Sequence, residues 1–202
     1  MHSKLIFWFV SLMVRWVAST YSPAVQPEAE RVRFEAIAAD AVAVAFDPTE
    51  KPLFQGPLGR TKTAMLLLSV ASFESRFEAD VESGVRRGDS GRSWCLMQIN
   101  IGSGRIALDG DGYKYPKGTE GWAGKDLVGE KNRPNCFRIA LHIARKSYQG
   151  CGNLSVYTSG RCDKESRAAR YRETRAKVSF QSEVSKVTWR DSDISETLAL
   201  TP

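Results

Sequence analysis

Apolar residues recur at helical spacing in several stretches of this chain. From about 28 to 46, Phe34, Ile37, Ala38, Ala41, Val44 and Ala45 lie three or four residues apart and share one face, which predicts an amphipathic helix. Asp47-Pro48 closes it, because the residue before a proline is driven out of the helical region. A second helix is expected from about 62 to 77. Its centre, AMLLLSVASF, is apolar nearly all round, as in a helix enclosed by a core. Pro134 opens a third, to about 148, with Ile139, Leu141, Ile143 and Ala144 as its apolar side. Residues 154 to 157 suit a short helical turn. A last helix, about 164 to 178, carries six cations against two acids. Between the second and third helices the period is lost. VESGVRRGDSGRS reads as an irregular hairpin or loop, WCLMQINI as a short apolar segment, and 102 to 125 as mostly loop. The fold class expected is mainly α (α+β): a helical domain with a small irregular β-like hairpin insert and no internal repeat.

The amino terminus differs from the rest. Lys4 precedes the apolar run LIFWFVSLMV, residues 5 to 14, which has the length of a signal-peptide core and is short for a membrane span. A cleaved signal, an uncleaved anchor touching the membrane through residues 5–19, and a buried apolar helix are all open readings. The expected organisation is a targeting segment with linker at 1–24, one domain at 25–178, and a polar tail at 179–202. With 42% hydrophobic residues in 202, the chain has enough apolar surface for a core, which excludes wholesale disorder.

Net charge is +6, which favours polyanionic partners such as nucleic acid or bacterial wall polymer. No helix-turn-helix, zinc or RNA-binding motif accompanies that charge, so no nucleic-acid partner is expected. Four cysteines, Cys95, Cys136, Cys151 and Cys162, form no CxxC pair, and there are only two histidines. That composition argues against a zinc site or a Cys/His nucleophile, so neither metal nor organic cofactor is expected. An even count fits disulfides in a chain that leaves the reducing cytosol.

Glu74 is the residue with the clearest chemistry. It lies near the end of the most apolar helix, between Phe73 and Ser75. Burial disfavours a charged carboxylate and raises its pKa. A carboxylic acid that stays protonated near neutral pH can donate to the leaving oxygen of a glycosidic bond. The bland alternative is an exposed helix-end glutamate bridged to Arg76.

Around it the segments ASFESRF, CLMQIN and VYTSG follow in order. This arrangement, over roughly 61 to 160, resembles the catalytic domain of the soluble lytic transglycosylases and goose-type lysozymes. Those carry a Glu-Ser pair at a helix end, then Gly-Leu-Met-Gln, then Ala-Tyr-Asn-x-Gly. Here Cys95 replaces the first glycine and Thr158 the asparagine. The resemblance implies a lysozyme-like fold that cleaves the β-1,4 bond between N-acetylmuramic acid and N-acetylglucosamine in peptidoglycan glycan strands. It implies Glu74 as general acid/base and Ser75 as a support for substrate or for the glutamate's loop. Met97, Gln98, Asn100 and Gly160 would line the groove, and Tyr157 would orient the carboxyl. Trp94, Tyr113, Tyr115 and Trp122 are candidate walls for stacking on sugars.

The second carboxylate separates two reactions. An inverting hydrolase needs a base to activate water, with the carboxyls roughly 6.5–9.5 Å apart. A lytic transglycosylase needs none, because the substrate's 6-hydroxyl attacks and a 1,6-anhydro sugar forms. Asp89 matches the first aspartate of the goose-type pattern, whereas Asn100 stands where that pattern has another. Transglycosylation is the leading expectation, with hydrolysis on Asp89 as the alternative and an inactive wall-binding module as a third. On the resembled frame the cysteines pair as Cys95–Cys136 and Cys151–Cys162, and the protein is exported.

Overall fold

The computed structural model describes residues 2–18, 30–102, 104–106, 118–162, 167–184 and 187–194. They divide into two compact units, one of residues 1–68 with 175–202 and one of residues 69–174. The architecture is mainly helical, with a single two-stranded sheet among the described residues.

The first unit holds α1 (His2–Ala18), α2 (Arg31–Phe46), the start of α3 (Gly59–Glu74) and the end of α7 (Arg167–Val184). The apolar run at 5 to 14 is the middle of α1. It packs on α2 and buries Leu5, Phe9, Val10, Leu12, Met13, Trp16 and Val17. Enclosing a large apolar side chain contributes roughly 1.5–3 kcal/mol, so in the intact chain this segment is part of a core. The Trp16 indole donates to Ser179 Oγ (3.1 Å) and Arg15 pairs with Glu183. No described helix is long and apolar enough to cross a membrane. In α2 the expected stripe is buried throughout, and Asp47 then accepts from the amide and hydroxyl of Thr49 in a tight turn.

The carboxy-terminal segment is structured further than its composition predicts. α7 runs to Val184, past the expected end at 178, and Asp191 caps α3. The Asp191 carboxylate accepts from the amides of Arg60 (2.6 Å) and Thr61 (3.2 Å) and from the Thr61 hydroxyl (2.6 Å). These amides belong to the first turn of α3 and have no partner within the helix, so the cap explains why α3 begins at Gly59 rather than near 62.

The second unit holds the end of α3, α4 (Ala79–Glu82), β1 (Ser93–Trp94), β2 (Ile99–Asn100), α5 (Arg133–Cys151), α6 (Ser155–Ser159) and the start of α7. The strands pair antiparallel, Ser93 opposite Asn100 and Trp94 opposite Ile99, which forms the small hairpin insert. Pro134 lies in the first turn of α5, as expected, and Gly152 ends the helix in the left-handed region. Phe77, Leu96, Met97, Phe137, Ile139, Leu141 and Leu154 form the core. Both disulfides implied by the resemblance are present. Cys95–Cys136 ties the hairpin to α5 (Cα–Cα 6.3 Å), and Cys151–Cys162 closes a loop around α6 (5.2 Å). Such bridges form in oxidising, exported environments.

Candidate active site

The end of α3 is built to stop at Glu74. Ser75 turns its hydroxyl back onto the Ala71 carbonyl (2.9 Å) and accepts from the Phe77 amide (3.2 Å). Arg76 and Phe77 then take φ of 53° and 57°, a region that disfavours side chains, and the helix cannot continue. The helix therefore ends short of the 77 expected from its apolar pattern. Ser75 is buried and supports the glutamate's loop; it is not among the residues that line the cleft.

Glu74 faces a cleft of about 560 Å³, together with Gly88, Asp89, Gln98, Asn100, Tyr157, Gly160 and Arg172. Its side chain is only 17% exposed. Burial pushes its carboxyl above the ordinary value of 4.5. The charge and hydrogen bonds of Arg172 oppose that rise, and the negative charge of Asp89 adds to it. Arg172 Nε donates to Glu74 Oε1 (2.8 Å), and Nη2 forms an ion-pair contact with the same oxygen at 2.6 Å.

The hairpin supplies the facing wall. Gln98, at φ 47°, accepts from the Gly88 amide (3.0 Å) on its side-chain oxygen and donates to the Cys95 carbonyl (3.0 Å). A β-carbon at position 88 would run into the Gln98 side chain, so glycine there permits this close approach. Asp89 follows, itself at φ 50°. Its Oδ2 accepts from Ser93 Oγ (2.6 Å) on β1 and from the Asn100 amide (3.0 Å) on β2. Those two hydrogen bonds, first Ser93 and then Asn100, hold the Asp89 carboxyl below its ordinary 3.8. Six non-glycine residues with positive φ fall between 76 and 98: Arg76, Phe77, Asp89, Ser90, Cys95 and Gln98. Left-handed backbone of this kind persists where the surroundings fix it, and it gathers at functional sites.

α5 and α6 form the far side. Tyr157, whose hydroxyl donates to the Met97 carbonyl (2.7 Å), joins α6 to the hairpin. Burial, and next the charge of Glu74, raise its pKa well above 10, so it remains a neutral donor. The Tyr157 hydroxyl thus reaches the Met97 backbone, where the resemblance anticipates the carboxyl. Gly160 ends α6 at φ 73° on the cleft rim. Met97 is fully buried; its side chain is core, and its carbonyl is what serves the site.

Arg172 is the site residue that sequence reasoning missed, since its helix reads as a solvated cationic face. One signal was present. Ala169, Arg172, Glu173 and Ala176 recur at helical spacing, and both alanines are buried. That stripe turns Arg172 inward to Glu74 and Glu173 to the Leu154 amide at the start of α6 (2.6 Å).

Two other carboxylates near the hairpin in sequence are engaged elsewhere: Asp80 pairs with Arg86, and Glu82 forms a buried ion pair with Arg133. Trp94 packs against the Arg87 guanidinium (4.4 Å from the ring centroid) and against the backbone of Gly124, where a β-carbon would collide with the ring. Neither Trp94 nor Trp122 is among the described residues lining the cleft, and Tyr113 and Tyr115 lie outside the described residues. Among the described residues no group of three or more His, Cys, Asp or Glu side chains is arranged as a metal site.

Chemically, the cleft pairs a shielded carboxyl, favoured in its acid form by burial, with an open carboxylate held anionic by hydrogen bonds. The chain matches no known family model, no curated protein and no solved structure.

Proposed function

We propose that this protein cleaves peptidoglycan glycan strands at the β-1,4 bond between N-acetylmuramic acid and N-acetylglucosamine, with Glu74 as general acid and then base. The observation that carries the reading is the desolvated Glu74 carboxyl at the mouth of a strained helix end, lining a cleft large enough for sugar rings. The sequence of an apolar helix ending in the acid, a small hairpin, a long helix and a short turn bearing Tyr157 supports a lysozyme-like domain.

In the leading form of the reaction, that of a lytic transglycosylase, Glu74 gives its proton to the glycosidic oxygen as the C1–O bond breaks. The 6-hydroxyl oxygen of the same muramic residue bonds to C1, and its proton passes to Glu74. The product is a 1,6-anhydro end, and the acid is restored. Gln98 and Asn100 line the hairpin side of the groove, with their amides holding the Gly88–Asp89 turn in place. A hydrolytic muramidase is the second reading, favoured by Asp89: its carboxylate shares the cleft and is kept anionic, as a base for water must be. The two disulfides support action outside the cytosol, in the periplasm or beyond the cell.

Incubation of the full chain with purified sacculi tests the reading. Soluble muropeptides should be released, and Glu74→Gln should lower the rate by roughly 10²–10⁴. Undiminished release by a folded Glu74→Gln chain would overturn it.

A further inference from the structure

Arg172 engages one oxygen of Glu74 and leaves the other open. Its Nε donates to Oε1 and its Nη2 lies 2.6 Å from that oxygen, whereas Oε2 has no hydrogen-bond partner among the described residues. Arg172 is itself fixed. Its Nη1 donates to the Ala168 carbonyl (2.9 Å), its guanidinium lies over the Phe73 ring at 5.8 Å, and its own carbonyl accepts from Ser69 Oγ (3.1 Å). At 15% exposure it is as shielded as its partner.

We infer that Arg172 is a positioning residue for the acid: by occupying Oε1 it confines the transferable proton to Oε2, and it steadies the carboxylate left when that proton departs. An oxygen that accepts one guanidinium N–H and holds a second guanidinium nitrogen at 2.6 Å has no room for a proton of its own, so the protonated form of Glu74 carries it on Oε2. When the proton moves to the leaving oxygen, the new anion forms already paired with a cation that need not reorganise. When the 6-hydroxyl returns a proton, Oε2 takes it. Arg172 thus trades a smaller protonated fraction at rest for a more stable carboxylate in mid-reaction. This inference rests on the reading of Glu74 as the acid.

Among the described residues, Arg172 from α7, Asp89 from the turn before β1, and Tyr157 from α6 bear on Glu74. Each has a distinct signature. Removing the cation of Arg172 makes Glu74 a weaker acid, removing the charge of Asp89 makes it a stronger one, and Tyr157 stays neutral throughout.

The test is a ¹³C-carboxyl NMR titration of the full chain, with Glu74→Gln to assign the resonance, on wild type, Arg172→Lys and Arg172→Met. The Glu74 midpoint should rise in the order wild type, Lys, Met, with the protonation constant of the Met variant increased roughly tenfold or more. The alkaline limb of sacculus digestion should move with it. Lysine keeps the charge but not the fork, which makes it the variant that folds if methionine does not. Its midpoint above wild type supports the inference, and its midpoint equal to wild type overturns it. An unchanged midpoint in a folded, active Arg172→Met chain also overturns the inference and leaves the glycan reading standing. Ordered midpoints in a wild type that digests no sacculus sink the glycan reading, and with it the catalytic part of the inference.

Discussion

Asn100 donates a 3.0 Å hydrogen bond to Asp89, on the same carboxylate oxygen that accepts from Ser93. The two strands of the hairpin therefore grip one aspartate between them. The amide at position 100 matters to that grip: an aspartate there would set like charges against each other and remove the donor.

This arrangement gives the first prediction. Asp89→Asn should reduce sacculus digestion by no more than about threefold if the product is an anhydro sugar, since no base for water is needed. If the protein hydrolyses, the loss should be roughly 10²–10⁴. Steady-state rates on the same substrate decide between them.

The pH dependence follows from the two carboxyls. Glu74, raised above 4.5 chiefly by burial, acts in its protonated form, so activity is full at low pH and falls as pH rises through the raised value. The same shift makes the folded chain relatively more stable below 4.5, and that contribution is lost as pH rises through the folded pKa. Asp89, held below 3.8 by Ser93 and Asn100, stays anionic over the working range. Profiles of kcat/KM from about pH 4 to 9 should show an alkaline limb. Asp89→Asn should move that limb to lower pH, because Asp89's charge is one cause of the Glu74 rise. A flat profile would contradict the assignment of the acid.

Tyr157→Phe should lower stability by about 1–2 kcal/mol, because the Met97 carbonyl loses the hydroxyl that joins α6 to the hairpin. Denaturant unfolding measures this. Activity should fall more than stability explains, since Tyr157 itself lines the cleft. An unfolding midpoint equal to wild type would remove the strut from the account.

The disulfides are checked by intact mass. Chain from an oxidising compartment should be lighter by four hydrogens than its reduced form, two for each bridge. Replacing Cys151 and Cys162 together by alanine should cost about 3 kcal/mol through loss of a short closed loop. Four free thiols would withdraw both bridges.

The repeating parts of the fold were legible in the sequence; the boundaries and the second half of the acid's environment were not. The stripe from Phe34 to Ala45 names the buried face of α2 because three- and four-residue spacing is a local property. The start of α3 is not local: Asp191 caps it from 130 residues away in the sequence. Its end is set by left-handed Arg76 and Phe77, neither of which is the glycine that usually marks such a conformation. Arg172 was hidden by its neighbours, since five other cations made its helix read as solvated. Trp94 gave the opposite error. An aromatic ring in a loop suits a sugar, but this ring packs against Arg87 and Gly124 and is not among the residues lining the cleft.

The most direct measurement is mass analysis of the disaccharide peptides that the full chain releases from Gram-negative peptidoglycan, with Glu74→Gln alongside. Muropeptides bearing 1,6-anhydro ends are expected from the native protein, and their release should be slowed roughly 10²–10⁴-fold in the variant. Undiminished release of the same products by folded Glu74→Gln, or no product from the native chain, would contradict this.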